Sequence, residues 1–276
     1  MPVADRAQAP RIIKTAGDDI MRNILKATAA AVSALTLGAL TLSALAATAA
    51  TAAPVKNIVL VHGAWADGSG WKGVYDILTR DGFHVSVVAN PDTGIADDVA
   101  ATQRVLDLQT GPVILVGHSY GGTVITLAGM DPKVAGLVYI AAFGPDVGET
   151  TGQYLPKGPL PITVSRDGLA FFNHDAFMGG FAPDVDAPMR QFMFDSQVPL
   201  AVSVFTAPMA QAAWKTKPSW YLVSSQDHMI PPDVERMYAR RMKATTAEVA
   251  GSHVAFIAQP AVAAQLIEAA ANGAVK

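Results

Sequence analysis

The sequence predicts an α/β protein with a mainly parallel, doubly wound sheet and a small helical cap inserted between the sixth and seventh strands. Short apolar runs alternate with helical segments, as strands and crossover helices do in parallel sheets. The apolar run at residues 113–116 leads through the glycine-rich turn 117–121 into an apolar helix. Residues 145–218 interrupt this alternation with prolines, glycines and many phenylalanines, and such a long segment is predicted to form the cap.

The predicted elements of the sheet follow the chain in order. The first half contains strands at residues 57–61, 83–88, 113–116 and 134–142, and helices at 69–80, 95–108 and directly after the turn 117–121. The second half contains strands at residues 221–223 and 247–249, and helices at 233–242 and 255–271. Ser69 is the expected N-cap of the first helix. Residues 54–276 are therefore predicted to form one domain, with the cap at about residues 145–218.

The turn from residue 117 to 121 reads Gly-His-Ser-Tyr-Gly and has the pattern G-x-S-x-G between a strand and a helix. A turn of this kind presents the serine hydroxyl at the top of a parallel sheet. Its glycines leave room where the strand and the helix cross. Ser119 is therefore the candidate nucleophile. The alternative is a glycine-rich turn that only ends a strand, and it is weakened by the activating residues found downstream.

A serine hydroxyl becomes a useful nucleophile when an imidazole takes its proton and a carboxylate orients that imidazole. Asp227 follows the apolar run 220–224, and His253 follows the short run 248–250, which matches the order serine, acid, histidine. Among the six histidines of the chain, His228 is the main competitor, but it directly follows the candidate acid and is poorly placed to be oriented by it. Asp146, after the strand 134–142, is the reserve acid.

Two backbone N–H groups are needed to stabilise the oxyanion that forms during acyl transfer. One is predicted to come from Tyr120, the residue after the nucleophile. The other is expected from the loop His-Gly-Ala-Trp at residues 62–65, which follows the first strand. Gly63 lets this backbone turn towards the serine, so Ala64 is the predicted second donor and Trp65 the fallback.

Taken together, these motifs resemble the α/β-hydrolase superfamily, and specifically its small-esterase branch, which contains plant methyl-ester hydrolases and hydroxynitrile lyases. The resemblance rests on VHGAW at 61–65, GSGW at 68–71, GHSYG at 117–121, Asp227 and GSH at 251–253. It covers the chain from residue 55 onward except the middle insert. It implies the same fold, a serine hydrolase mechanism and no cofactor, and it says little about the substrate.

The chain departs from three other activities of the superfamily. Hydroxynitrile lyases of this branch carry a lysine after the catalytic histidine and a threonine after the first-loop histidine, where this chain has Val254 and Gly63. Dehalogenases and epoxide hydrolases carry an aspartate at the nucleophile position, where this chain has Ser119. Hydrolysis of small esters is therefore the favoured function. A ligand-binding or signalling protein on the same scaffold, a lyase, a carbon–carbon bond hydrolase and an acyltransferase remain the alternatives.

Composition limits the other function classes. The 276 residues are 51% hydrophobic and 16% charged, with a net charge of −3 and no long basic run, so no nucleic-acid partner is expected. There is no cysteine, which excludes disulfides and cysteine-bound metals. No dense cluster of His, Asp and Glu resembles a metal motif, so neither a metal nor a cofactor is expected. The expected partner is a small-molecule ester, and the sequence leaves the oligomeric state open.

Residues 1–53 are predicted to lie outside the fold as an N-terminal extension and a secretory signal peptide. The basic stretch at residues 21–26 precedes the segment 27–53, which has no charged residue and is rich in alanine, threonine and leucine. Cleavage after Ala49 or Ala52 fits the small-residue pattern. A transmembrane anchor is the competing interpretation, since the segment exceeds about 20 residues. The mature protein is therefore expected to be periplasmic or secreted, with no stable membrane anchor.

The cap segment is unusually rich in large apolar side chains, since seven of the ten phenylalanines lie within it. A long insert at this point of the sheet lies above the predicted nucleophile. Most of these rings are expected to form the core of the cap, and a minority to line the substrate channel. A roof of this composition favours an apolar acyl or aryl group.

Overall fold

The computed structural model describes residues 53–274, whose main sheet has six parallel strands in the order β2-β1-β3-β4-β8-β9. The nine strands of this part of the chain are β1 (Asn57–Val61), β2 (His84–Val88), β3 (Val113–Ser119), β4 (Val134–Ala142), β5 (Ile162–Val164), β6 (Leu169–Phe172), β7 (Leu200–Ala201), β8 (Ser219–Ser224) and β9 (Thr245–Val249). The α/β-hydrolase fold expected from the sequence is therefore confirmed. Every residue of the central strand β3 is buried, as expected for a sheet covered on both faces.

Helices connect and cover these strands. They are α1 (Lys72–Arg80), α2 (Ile95–Asp107), α3 (Tyr120–Ala128), α4 (His174–Ala176), α5 (Ala187–Asp195), α6 (Pro232–Met242), α7 (Ala255–Ala258) and α8 (Pro260–Gly273). All five pairings between strands of the main sheet are parallel, so the carboxyl ends of the strands meet at one edge. Loops at that edge form the usual ligand site of open α/β sheets.

Two predicted helices differ from the structure by more than one residue. The first helix is preceded by a 3₁₀ turn over Gly68–Trp71, and its cap is Asp67, whose Oδ1 accepts a hydrogen bond from the N–H of Ser69 at 2.8 Å. Ser69 is thus a donor to the cap and not the cap itself. The last predicted helix is split into α7 and α8 because Pro260 lacks an N–H and its ring clashes with the preceding turn.

The cap lies between β4 and β8 and is not purely helical. Strands β5, β6 and β7 form a small antiparallel sheet. The turn over Phe177–Phe181 lies between α4 and α5 in the chain, and the rings of Phe177 and Phe181 pack against Phe172 of β6. The sequence predicts a helical cap and does not predict this sheet. Its strands contain only two to four residues, which are too few to show an alternating pattern. The sequence predicts the cap between the sixth and seventh strands. In the six-stranded main sheet of the described residues, the cap follows the fourth strand along the chain, β4, and precedes the fifth, β8.

The predicted signal peptide lies outside the described residues, apart from Ala53. Within residues 53–274, no helix is both long and apolar enough to cross a membrane. The hydrophobic core of this unit lies on both faces of the main sheet, where α1 and α8 pack on one side and α3 packs against β3 and β4. This core positions the loops that carry the candidate site.

Candidate active site

Ser119 is the last residue of β3 and directly precedes α3, in a backbone conformation that is unusual for a residue with a side chain. Its φ is 52° and its ψ is −122°. Such a conformation costs on the order of 1–3 kcal/mol and persists only where the surroundings impose it. The surroundings are tight, because a Cβ on Gly117 would lie 2.5 Å from the carbonyl oxygen of Gly121, and one on Gly121 would lie 2.5 Å from that of His62. The glycines of the motif are therefore required by backbone packing.

The structure brings the predicted serine, histidine and acid together in one hydrogen-bonded row. Ser119 Oγ lies 2.8 Å from His253 Nε2, and His253 Nδ1 lies 2.6 Å from Asp227 Oδ2. Asp227 Oδ1 accepts hydrogen bonds from the backbone N–H groups of Met229 at 2.5 Å and Ile230 at 2.9 Å. All three side chains are buried. This arrangement can withdraw the proton of the serine hydroxyl and stabilise the imidazolium that results.

The hydrogen bonds define the neutral form of His253. Its Nδ1 faces a carboxylate, which accepts, so Nδ1 carries the proton. Its Nε2 is then free to accept the hydrogen of the Ser119 hydroxyl. This is the tautomer that a general base acting on serine needs.

The competing residues lie elsewhere. Asp146 forms an ion pair with Lys215 at 2.7 Å, whereas the carboxylate bonded to His253 is that of Asp227. His228 lines the wall of the adjacent cavity, but the nitrogen that bonds Ser119 belongs to His253. Geometry thus places Asp227, and not the reserve acid, beside the histidine.

The predicted oxyanion donors lie beside Ser119. Ala64, Tyr120 and Ser119 line the same cavity, and both candidate donor residues are buried. Within residues 53–274, the N–H groups of Ala64 and Tyr120 donate to no turn, loop or side-chain acceptor. Two free N–H groups at the mouth of the elbow suit a developing negative charge. Trp65, the fallback, instead anchors the loop to the cap through its indole N–H, which donates to Ala170 O at 2.8 Å.

Two further histidines support the site, and sequence reasoning assigned them no role. His62 Nε2 accepts the N–H of Asn90 at 3.0 Å, so its Nδ1 donates to Gly63 O at 2.9 Å and shapes the loop that carries Ala64. His118 Nε2 donates to the backbone oxygen of His253 at 2.9 Å. Burial lowers the pKa of His62, and burial together with the charge of His253 holds the pKa of His118 well below its ordinary value. In the sequence, the signal for a supporting role of these two histidines is their position next to the motif glycines, His62 before Gly63 and His118 after Gly117.

A buried acidic network supports the elbow from the opposite side. The Tyr120 hydroxyl donates to Asp98 Oδ2 at 2.6 Å, and Asp98 Oδ1 accepts the N–H of Asp92 at 2.8 Å. Both aspartates are fully buried. Burial and the charge of Asp98 raise the pKa of Asp92 to about 9, so its carboxyl is protonated at neutral pH. No pattern in the sequence distinguishes these residues from solvated acids at the start of a helix.

A second carboxyl lies next to the acid of the row. Glu235 on α6 is fully buried, and its Oε2 accepts the N–H of Ser224 at 3.0 Å. Burial and the negative charge of Asp227 raise the pKa of Glu235 well above its ordinary value. The raised pKa of Glu235 favours its neutral form beside Asp227.

A cavity of about 180 Å³ opens directly onto Ser119 and His253. Its wall is largely aromatic and aliphatic and includes Trp65, Phe143, Leu155, Phe172, Phe181 and Phe205. Three of the seven cap phenylalanines therefore face the cavity, the minority that the sequence predicts. The expectation that most of the others form a cap core holds less well, because Phe171 and Phe192 are 41% and 51% exposed.

Between residues 53 and 274, no group of three or more His, Asp or Glu side chains is arranged to hold a metal ion.

Comparison with known proteins gives the family. Residues 58–266 match the Alpha/beta hydrolase family along most of the chain. The chain belongs to this family. The strained serine at the end of β3, the acid after β8 and the histidine after β9 lie where an alpha/beta hydrolase carries its nucleophile, acid and base.

Two relatives are named as hydrolysing enzymes. A carbendazim hydrolyzing esterase from Nocardioides sp. (strain SG-4G) is 31% identical over 179 residues, which cover 56% of this chain and 74% of that protein. A pyrethroid hydrolase from Sphingobium wenxiniae is 29% identical over 249 residues, which cover 77% of this chain and 86% of that protein. The solved structure of polyneuridine aldehyde esterase superposes with a TM-score of 0.67 at 16% identity, covering 77% of this chain and 98% of that one, and so shares the fold.

Proposed function

We propose that this alpha/beta hydrolase is a serine esterase that cleaves small carboxylic esters with an apolar acyl or aryl part. The observation that carries the proposal is the unbroken row Ser119–His253–Asp227 at the edge of a small apolar cavity. The two named hydrolysing relatives support ester hydrolysis as the reaction class. The three roles are nucleophile for Ser119, general base for His253 and orienting acid for Asp227.

The geometry supports a two-step acyl transfer. Ser119 Oγ attacks the ester carbonyl while His253 Nε2 takes its proton, and Asp227 stabilises the imidazolium. The carbonyl oxygen becomes negatively charged, and the N–H groups of Ala64 and Tyr120, residues that line the cavity beside Ser119, are the proposed donors to it. His253 then protonates the leaving alcohol. Water, activated by the same base, hydrolyses the acyl-enzyme and regenerates Ser119.

The cavity supports a small and apolar substrate. Its volume of about 180 Å³ is below the range of roughly 300–1,000 Å³ that encloses drug-sized ligands. Most of its wall is hydrocarbon or aromatic ring, which stabilises apolar groups by removing them from water. A charged or sugar-like acyl part would lose its hydration against the apolar part of this wall.

We also propose that the mature enzyme is periplasmic or secreted. The proposal is supported by the basic stretch at residues 21–26 and the charge-free segment 27–53. N-terminal sequencing of the protein recovered outside the cytoplasm is expected to start at Ala50 or Ala53. An intact N-terminus in the membrane fraction would favour an anchor instead.

The test of function is Ser119→Ala, assayed with chromogenic short-chain esters. Turnover is expected to fall by several orders of magnitude, because the acyl-enzyme cannot form. Ser203→Ala, at an exposed serine of the cap, is the matched control and should retain full activity. If Ser119→Ala retained more than about a tenth of the activity, a barrier difference of only ~1.4 kcal/mol, Ser119 would not be the nucleophile. Absence of activity in the unmodified protein would favour a ligand-binding role.

A further inference from the structure

The loop that carries His253 is held by several hydrogen bonds from the hydrolase core. Gly251 O accepts the N–H of Gln226 at 3.1 Å, and Ala250 O accepts the side-chain amide of Gln259 at 2.9 Å. His253 O accepts from His118 Nε2 at 2.9 Å. These contacts fix the backbone before and at the histidine.

The remaining anchor of this loop comes from the cap. Asp184 Oδ2 accepts the backbone N–H of Ser252 at 2.8 Å, and Asp184 Oδ1 accepts the Ser252 hydroxyl. The Ser252 Oγ in turn accepts the N–H of Val254 at 3.2 Å. One carboxylate therefore organises the residues on both sides of His253. Ser252 is buried, so its hydroxyl depends on these protein partners.

The approach of Asp184 to the loop is close. A Cβ on Gly251 would lie 3.2 Å from Asp184 Oδ2, tighter than an ordinary contact. Glycine at this position therefore leaves the carboxylate free to reach the Ser252 N–H. Hydrogen bonds to a charged acceptor are roughly twice as strong as neutral ones, which suits a contact that joins the cap to the histidine loop.

The same short cap segment also contacts the base itself. Phe181, three residues before Asp184, packs edge-on against the imidazole of His253 with ring centroids 5.2 Å apart. Phe181 also lines the cavity, whereas Asp184 does not. Residues 181–184 thus contact the substrate space, the imidazole and the loop that carries it.

We propose that Asp184 is a positioning residue that holds His253 at the distance from Ser119 needed for proton transfer, so that the cap sets turnover as well as substrate shape. This inference rests on the proposed esterase function. Loss of the carboxylate leaves the N–H and the hydroxyl of Ser252, directly before His253, without their cap partner. A displacement of about 1 Å at a reacting group costs on the order of 100-fold in rate. Because Asp184 lies outside the cavity, substrate affinity should change little.

The experiment compares Asp184→Ala, Asp184→Asn and Ser252→Ala with the unmodified enzyme and with Ser119→Ala. We expect Asp184→Ala to lower kcat by about 10- to 100-fold with KM within about threefold. Asp184→Asn keeps an acceptor for the Ser252 N–H and should recover part of this loss. Asp184→Ala combined with Ser252→Ala should be no slower than the worse single variant, because both remove the same anchor.

Asp175→Ala is the matched control, since it removes a fully exposed carboxylate from the same cap and changes the net charge equally. Its kcat should equal that of the unmodified enzyme. The inference is overturned if kcat of Asp184→Ala stays within twofold, if the loss appears in KM, or if the two single effects multiply in the double variant. If Asp184→Ala does not fold, Asp184→Asn and Ser252→Ala decide by the same criteria. High activity of Ser119→Ala would instead refute the esterase mechanism itself.

Discussion

The two walls of the cavity are held by different kinds of contact. On the elbow side, backbone packs directly on backbone, and a Cβ on Gly122 would lie 2.2 Å from the carbonyl oxygen of Phe143. On the cap side, aromatic side chains pack against one another, as in the stacked pair Phe177 and Phe181 with centroids 4.6 Å apart. The reacting atoms are thus fixed by main chain that leaves no room for change, whereas substrate shape depends on side chains that can be exchanged.

This difference predicts where substitutions act. Changes at the elbow and its partners should affect turnover or folding, because the backbone there has one arrangement. Changes in the cap should mainly affect which ester is preferred. Asp184 is the cap residue that is expected to break this division, because it acts on the histidine loop.

The largest expected effect separates the two candidate acids. Asp227→Asn should lower kcat by about 10³- to 10⁴-fold, because the amide stabilises the wrong tautomer of His253. Asp146→Asn, which loses only its ion pair with Lys215 near the surface, should retain activity and lose at most about 1 kcal/mol of stability. Steady-state kinetics on one ester checks both variants. A reversed ranking would assign the orienting role to Asp146.

The next effect compares a glycine of the elbow with one of the cap. Gly122→Ala places a methyl group against Phe143 O and Ala142 Cβ, at 2.2 and 2.8 Å. It should lower the free energy of unfolding by about 1–3 kcal/mol or more. A Cβ on Gly179 meets nothing within 4 Å, and Gly179→Ala should be neutral or stabilise by up to about 1 kcal/mol. Urea unfolding measures both, and equal effects would contradict the contrast between the two walls.

The same contrast explains how much the sequence could predict. Strand β1 and strand β4 occur at the predicted residues, and the positions of Ser119, Asp227 and His253 after their strands place them at one edge of the sheet. These features depend on local patterns and on parallel topology, both of which are visible in a single chain. The catalytic roles themselves stay predictions until the variants are measured.

The features that the sequence did not predict depend on contacts between distant residues. Asp184 meets Ser252 across 68 positions of the chain, and no local pattern marks either residue. The cap sheet was not predicted because strands of two to four residues are too short to show the alternation of apolar and polar residues. The buried pair Asp92 and Asp98 looks like ordinary solvated charge until the fold removes it from water.

A third effect concerns that buried pair and the pH dependence of stability. Asp92 has its usual pKa of 3.8 when unfolded and about 9 in the fold, raised by burial and then by Asp98. Between these pH values, unfolding releases the proton of Asp92. The contribution of Asp92 to the free energy of unfolding should therefore be full below pH 3.8 and fall as the pH rises towards 9, by up to ~1.4 kcal/mol per pH unit.

Asp92→Asn should remove this contribution and flatten the slope. Asparagine also tolerates the left-handed backbone at this position, where φ is 56°. The free energy of unfolding, measured from pH 5 to 9, should therefore fall less steeply in the variant than in the unmodified protein. Identical slopes would show that the Asp92 carboxyl is ionised or hydrated in the folded state. Asp97→Asn, at an exposed acid of the same helix start, is the control and should keep the original slope.

The smallest expected effect tests the cap wall directly. Each methylene of an acyl chain that enters the cavity should contribute up to ~0.8 kcal/mol, a factor of about four in kcat/KM, until the cavity is full. A cavity of about 180 Å³ encloses only a short chain. For esters of one alcohol, kcat/KM should thus rise from acetyl to butyryl and fall for octanoyl and palmitoyl. Phe205→Ala, which shortens a side chain of the cap wall, should move the optimum to a longer chain. Phe192→Ala, at a ring that is half exposed on the outside of the cap, should leave the profile unchanged. A flat profile or a palmitoyl optimum would show that the cap does not close over the acyl group, and a lipase-like open site would then describe the enzyme better.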